Sequence, residues 1–264
     1  MGIKTKITLN EVDQLFPNFN LSILAPTSSG VMDTTYIVSN ESHSYILKKY
    51  ERDISQKIQN DKKLLSELKS ASLNVPTCVA QSGEWFLYEK LQGSQPRTVY
   101  GYHIVALGRF LAKLHKHTYK KSCSAKFMES YEIPKLLNYT KKNFYTYYKK
   151  LQFLESFEMK NEGFIHGDIF KDNTVFDGQK IGVFDFIDSG CGSFSFDCAV
   201  GLVGFSKGNE YYVNLFLRAY NQHAVKKISK KEFLTQIKIA SRFYALLRIN
   251  HHKNSANVKE LMIF

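Results

Sequence analysis

The hydrophobic pattern of this chain changes period once, near Leu91-Gln92-Gly93-Ser94-Gln95-Pro96, and the change divides the chain in two. Before it, apolar runs are short and bounded by turn residues. Ile23 to Ala25, Thr35 to Val38, Tyr45 to Tyr50, Val79-Ala80 and Trp85 to Glu89 read as strands. One stretch, 54–71, has the helical period instead, with Ile58, Asp61, Leu64, Leu65 and Leu68 on one face. A short helix is expected within 5–19, ending at Phe16-Pro17. After Pro96 the 3.6-residue period dominates: Ile104, Leu107, Leu111 and Leu114 mark 102–117, one or two aromatic-rich helices fill 131–159, and 195–206, 210–225 and 230–252 follow. The pattern predicts an α+β protein with a small antiparallel-sheet part over 1–91 and a larger, mostly helical part over 92–264.

Composition narrows the classes. With 44% hydrophobic residues in 264, the chain can bury a sizeable core, and its 5 prolines and 15 glycines are too few and too scattered for a disordered tail. No apolar run approaches the roughly 20 residues of a membrane span, and the N-terminus has no signal-like apolar segment, so a cytoplasmic, soluble protein without a membrane partner is expected. Cys78, Cys123, Cys191 and Cys198 form no C-x-x-C pair and read as free buried thiols. The net charge of +12 is concentrated in 92–160, which carries 13 basic against 4 acidic side chains. There Lys141, Lys142, Lys149 and Lys150 alternate with Phe144, Tyr145, Tyr147 and Tyr148. Such interleaving can suit nucleic acid, but more often it marks a solvated helix face backed by a buried aromatic face, and we expect no nucleic-acid partner.

Chemistry concentrates in one segment. His166-Gly167-Asp168 is followed by Asn173, giving H-x-D-x-x-x-x-N, and Asp185-Phe186 comes next after a short apolar run. Phosphoryl transfer needs these three groups: a carboxylate at the attacking hydroxyl, an amide on one Mg²⁺ and a carboxylate on the Mg²⁺ that bridges the phosphates. Upstream, Ile46 and Lys48 share a strand face, as do the Ala and Lys of the V-A-I-K strand that pairs with α- and β-phosphates, while Lys49 points the other way.

On these residues the chain resembles the aminoglycoside phosphotransferase / choline kinase superfamily, and within it the homoserine kinase branch. The likeness runs over nearly the whole length. It rests on His166-Gly167-Asp168…Asn173…Asp185-Phe186, on Ser195-Phe196-Asp197-Cys198-Ala199, and more loosely on Gly30-Val31-Met32-Asp33-Thr34-Thr35-Tyr36 and Ser241-Arg242-Phe243-Tyr244. The resemblance implies a two-lobed protein-kinase-like fold, with ATP and Mg²⁺ bound in the cleft between lobes. It implies Asp168 as the residue that orients the acceptor hydroxyl and takes its proton, Asn173 and Asp185 as metal ligands, and Lys48 on the phosphates. Ser29 and Gly30 would cover the phosphates, and Glu89 to Leu91 would offer backbone groups to adenine. Asp61, or else Glu67, would steady Lys48.

The acceptor is a small hydroxyl compound, and several remain in view. Choline asks for an aromatic cage, yet the single tryptophan, Trp85, precedes the interlobe hinge. Aminoglycosides and sugars of like charge ask for acidic pockets, whereas 161–264 carries 13 basic and 10 acidic groups. Homoserine fits best: Arg242 or Arg248 for its carboxylate, Asp188 or Asp197 for its ammonium. A kinase-fold scaffold without activity is the alternative from another class; the intact Asp168, Asn173 and Asp185 set argues against it. The oligomeric state is not legible.

Overall fold

The computed structural model describes residues 3–27, 32–121, 125–206 and 209–263. The chain forms two compact units: Met1–Gly93 with Gly182–Ile187, and Ser94–Ile181 with Asp188–Phe264. The first break falls two residues from the expected 91/92 boundary, but the division is not a single cut. Residues 182–187 join the first unit, where the Val183 N–H donates to the Asn74 carbonyl at 3.0 Å.

In the first unit, α1 (Leu9–Leu15) is started by a capping box in which Thr8 and Glu11 satisfy each other's backbone N–H groups. Strands β1 (Ile23–Pro26), β2 (Thr34–Ser39), β3 (Ser44–Lys49), β4 (Cys78–Ser82) and β5 (Trp85–Glu89) form one antiparallel sheet in the order β1-β2-β3-β5-β4. Alternation along these strands assigns the faces. Tyr36, Val38, Leu47, Trp85 and Leu87 point to one side, where they pack with Val12 and Phe16 into a closed core. Helix α2 (Ser55–Ser70) buries Ile58, Asp61, Leu65 and Leu68, four of the five positions read from its period.

The second unit is built around α6 (Phe194–Ser206), whose residues are buried on every side. A helix that is apolar all round belongs in the centre of a core. Helices α3 (Gly101–Thr118), α7 (Glu210–Asn221) and α8 (Lys230–His252) pack around it. The aromatic-rich stretch resolves into α4 (Ile133–Asn143) and α5 (Tyr145–Leu151). Its aromatic residues are not a buried face, contrary to the sequence reading. Ile133, Leu137 and Thr140 are the buried positions of α4, while Tyr145 is 56% exposed and carries Lys149 over its ring at 5.0 Å. Lysine and tyrosine satisfy each other there by cation–π contact, as Lys141 and Tyr148 do at 5.4 Å.

Four short strands, β6 (Gly163–Ile165), β7 (Thr174–Asp177), β8 (Lys180–Val183) and β9 (Gly190–Gly192), frame the loops that carry the chemistry. The thiol reading needs a correction: Cys78 and Cys198 are free, but Cys191 on β9 is disulfide-bonded. Spacing alone does not reveal such a bond, because only the fold brings two sulfurs within reach. No helix among the described residues is long and apolar enough to cross a membrane.

Candidate active site

Strand register sends the two neighbouring lysines of the first unit to opposite faces of the sheet. Lys48 stands opposite Thr35 and Phe86, on the face away from the closed core. Its Nζ lies 2.9 Å from Asp185 Oδ1, 3.8 Å from Asp33 Oδ2 and 4.7 Å from the Tyr50 ring centre. Burial disfavours the ammonium, but Asp185 and then Asp33 outweigh it, and the pKa stands above the ordinary lysine value. Lys49 turns to the other face, pairing with Glu84 at 2.9 Å.

The carboxylates at the Lys48 ammonium are thus Asp185 and Asp33. Asp61, the residue expected to steady it, is buried on α2. Its charge adds to the burial that raises Tyr50 and Tyr88, whose hydroxyls lie 3.0 Å apart. Asp33 has no sequence signal of its own; it is the structure that ties it to Lys48, to Arg52 at 3.4 Å and to the Glu51 N–H at 3.2 Å. Asp185 is a non-glycine residue at φ +67°, with 39% of its side chain exposed. Left-handed backbone costs energy outside glycine, and such outliers persist where the surroundings hold them for a reason.

Glu89 Oε2 accepts from Lys69 and from the Thr77 hydroxyl, each at 2.9 Å, and its N–H donates to the Thr77 carbonyl at 2.9 Å. That N–H is therefore engaged within the unit. Leu91 is half-buried just beyond the strand. Ser29 and Gly30 lie outside the described residues.

In the second unit one buried carboxylate organises the loop that carries Asp168. Asp197, in the first turn of α6, is completely buried. It accepts from the His166 N–H (3.1 Å), the Gly167 N–H (2.7 Å) and His115 Nε2 (3.0 Å). Burial alone would raise its pKa; the His115 bond, then the charges of His115 and His166 and the Gly167 N–H, reverse this and hold it below the usual carboxylate range. Asp197 is therefore a brace of the loop. Its sequence assignment as a partner for the substrate ammonium fails because both oxygens are consumed inside the protein.

Gly167 is required at its position. Its φ is +78°, and a Cβ there would stand 2.1 Å from the Phe127 ring. Past it, the Asp168 N–H donates to His166 Nδ1 at 3.1 Å, so His166 holds the loop backbone. Asn173 Nδ2 donates to the Asp168 carbonyl at 2.9 Å and to Asp168 Oδ2 at 3.0 Å. Tyr244 of α8 donates its hydroxyl to the Gly167 carbonyl. Burial, and after it the neighbouring Asp168 charge, push its pKa well above the ordinary phenol value. The sequence alone assigns a role to neither Tyr244 nor His115. Tyr244 lies within a matching segment, whereas His115 looks like an ordinary residue of an amphipathic helix.

The donor chemistry suits a hard divalent cation. In the second unit, with Nδ2 of Asn173 turned to Asp168, the amide Oδ1 of Asn173 is an oxygen acceptor of the kind such an ion takes; in the first unit, taken by itself, Asp185 has a part-exposed carboxylate. Mg²⁺ takes oxygen ligands and is usually held by one or two protein groups together with substrate phosphates and water. Among the described residues, no three or more His, Cys, Asp or Glu side chains are gathered as a metal cage.

The remaining acceptor candidates separate. Arg242 is buried, donating through Nη1 to the Leu261 carbonyl at 3.1 Å and the Ser241 hydroxyl at 3.2 Å. Burial lowers its pKa. A guanidinium spent on carbonyl and hydroxyl groups of the protein does not serve as a carboxylate clamp, which corrects that reading. Arg248, half-buried and one turn of helix beyond Tyr244, lies over the Phe170 ring at 5.6 Å. Asp188 is half-buried in the turn before β9.

A five-stranded antiparallel sheet with a capped helix, a helical unit centred on α6, and a braced Asp168–Asn173 loop together describe a kinase-like fold. The sequence profile of the phosphotransferase enzyme family matches residues 23–227, and the chain belongs to that family. It is an α+β, kinase-like small-molecule phosphotransferase with a hydroxyl acceptor. A homoserine kinase from Methylobacillus flagellatus is similar at 23% identity over 286 residues, covering 95% of this chain and 87% of the relative. Among solved structures, amicoumacin kinase in complex with AMP-PNP, Ca²⁺ and Ami superposes with a TM-score of 0.71 at 19% identity, over 97% of this chain and 90% of that one. Choline kinase from Streptococcus pneumoniae gives 0.69 at 15% identity, over 95% and 92%.

Proposed function

We propose that this enzyme transfers the γ-phosphate of ATP to the side-chain hydroxyl of homoserine, with Mg²⁺ as the metal and the cytoplasm as its compartment. The observation that carries the reading is Asp168: the backbone just before it, at His166 and Gly167, is held by Asp197 and Tyr244, its own N–H by His166, and its carboxylate is oriented by Asn173. The homoserine kinase likeness, spanning 95% of the chain, supports the acceptor.

Asp168 accepts the hydrogen bond of the acceptor hydroxyl and takes up its proton as the oxygen attacks phosphorus. The bond from phosphorus to the bridging oxygen breaks, and ADP leaves with that electron pair. Lys48, released from Asp185, pairs with the α- and β-phosphates, and Asp33 stays behind it as a counter-charge. Asn173 Oδ1 and the Asp185 carboxylate would hold the metal. When bound, Mg²⁺ neutralises charge on the phosphates and orients them. With the Glu89 and Lys90 N–H groups engaged by Thr77 and Ser44, the Leu91 N–H is the backbone donor of this stretch that receives the adenine. No covalent enzyme intermediate is involved; positioning and charge stabilisation lower the barrier.

The test is side-by-side turnover of L-homoserine, choline, ethanolamine and kanamycin with ATP and Mg²⁺, followed by ³¹P NMR of the product. O-phosphohomoserine as the preferred product is expected. Turnover of choline or kanamycin with none of homoserine overturns the acceptor and leaves the phosphotransferase class standing.

A further inference from the structure

Helix α8 presents two residues one turn apart to the catalytic loop. Tyr244 reaches Gly167 and the Asp168 carboxylate; Arg248 lies over the Phe170 ring. Residues at i and i+4 share a helix face, with Cβ atoms about 5–6 Å apart. Phe170 knits the arrangement together. Its ring meets that of Tyr244 edge-on at 4.6 Å, its N–H donates to the Asp168 carbonyl at 2.9 Å, and its carbonyl receives the Asn173 N–H at 3.1 Å. The underside of Phe170 is closed by Gly204, where even a methyl group would come within 2.7 Å of the ring. The ring is a fixed platform, and the guanidinium stands over it with Cζ 5.6 Å from its centre.

Its charge is what calls for explanation. Arg248 is half-buried, yet it has no carboxylate partner among the described residues; its contact is the aromatic ring. Two acidic groups of this region are engaged within the protein. Asp168 is held by Asn173 and lies beside Tyr244, and Asp197 is fully buried under three donors. Arginine stacked on an aromatic face keeps its edge donors open, and that planar fork matches a carboxylate bidentately. Arg242, by contrast, has turned inward to the Leu261 carbonyl.

We infer that Arg248 is the specificity-determining residue of the acceptor site, and that it recognises a carboxylate carried a few bonds from the hydroxyl presented to Asp168. This rests on the reading of Asp168 as the acceptor-binding carboxylate and of homoserine as the acceptor. It adds a discrimination: the site selects hydroxy acids over the corresponding amino alcohols. In homoserine, three carbons separate the hydroxyl oxygen from the carboxylate carbon, a span on the order of 5 Å at bond lengths of ~1.5 Å. That is the scale of one helical turn between Tyr244 and Arg248.

The experiment compares L-homoserine with 3-aminopropan-1-ol, the same molecule without its carboxylate, in wild type, Arg248→Gln and Arg248→Lys. Wild type should prefer homoserine in kcat/KM by about tenfold or more, the worth of one or two charge-assisted hydrogen bonds. Arg248→Gln should lose that preference, through a raised homoserine KM, with 3-aminopropan-1-ol turnover and ATP KM unchanged. Arg248→Lys keeps the charge without the fork and should lie between. Thermal melting of each variant checks that the fold survives; if Arg248→Gln does not fold, the lysine variant and the wild-type preference carry the test. Three results would overturn the inference: a preference unchanged in a folded Arg248→Gln, a wild type that turns over both compounds equally, or a rise in ATP KM in place of homoserine KM. Failure of the underlying reading looks different. There, wild type itself turns over no homoserine while phosphorylating another alcohol, and the inference falls with it.

Discussion

The two ends of the chemistry are built differently. In the second unit the loop carrying Asp168 is over-determined. A buried carboxylate takes two of its backbone N–H groups, a histidine ring takes a third, a tyrosine holds a carbonyl, and Phe127 fills the space where a side chain on Gly167 would go. In the first unit Lys48 is held by ion pairs to Asp185 and Asp33, and Asp185 is 39% exposed on left-handed backbone. Each bond of the loop would cost a buried, unsatisfied group to break. The Lys48–Asp185 pair can be exchanged for phosphate and metal with charge conserved on both sides. Under the proposed function, the acceptor end is therefore assembled in advance, and the nucleotide end carries a substitute for its ligand.

The sharpest way to break this contrast is at Asp168. Asp168→Asn should lower kcat by ~10²–10⁴ and leave nucleotide binding and thermal stability nearly unchanged, because the loop is fixed by its neighbours. Single-turnover kinetics and nucleotide titration check both halves. Next comes the brace. Asp197→Ala leaves His115 and two backbone N–H groups without their buried acceptor and should cost about 3–5 kcal/mol in denaturant unfolding, the range for breaking a buried charged partnership.

The pH dependence follows in sign. The carboxyl of Asp197 stands below its unfolded value of 3.8 in the folded chain. Its contribution is thus fully present above that value and lost as pH falls through the lower, folded one. Asp197→Asn should flatten the acid limb of the stability curve relative to wild type, as followed by chemical denaturation at stepped pH.

The first unit should respond more mildly. Lys48→Ala should raise ATP KM roughly ten- to a hundredfold, the worth of charge-assisted bonds to phosphate. Lys49→Ala should change ATP KM little, and stability by no more than ~1 kcal/mol, because its partner Glu84 is 79% exposed. If Lys49→Ala were the damaging change, the strand register placing Lys48 on the chemical face would be wrong.

Much of this contrast is legible in the amino-acid sequence. The two-residue alternation of β3 separates Lys48 from Lys49, because periodicity is a property of neighbouring residues. What stays hidden depends on contacts between distant residues. Nothing local distinguishes Asp33 from Asp61 as the carboxylate beside Lys48, since one lies in a loop and the other on a helix. Arg242 and Arg248 are equivalent by sequence; only the fold brings the Leu261 carbonyl to one of them. The disulfide at Cys191 and the return of residues 182–187 to the first unit are hidden for the same reason.

Amide hydrogen exchange, with and without AMP-PNP and Mg²⁺, tests the contrast most directly. The account predicts that the His166 and Gly167 amides, both donors to buried Asp197, are strongly protected without ligand and gain little on its addition. Residues 182–187 around Asp185 should gain protection when the ligand replaces the Lys48 pair. Fast exchange at His166 and Gly167 that slows only on nucleotide binding would contradict a loop assembled in advance.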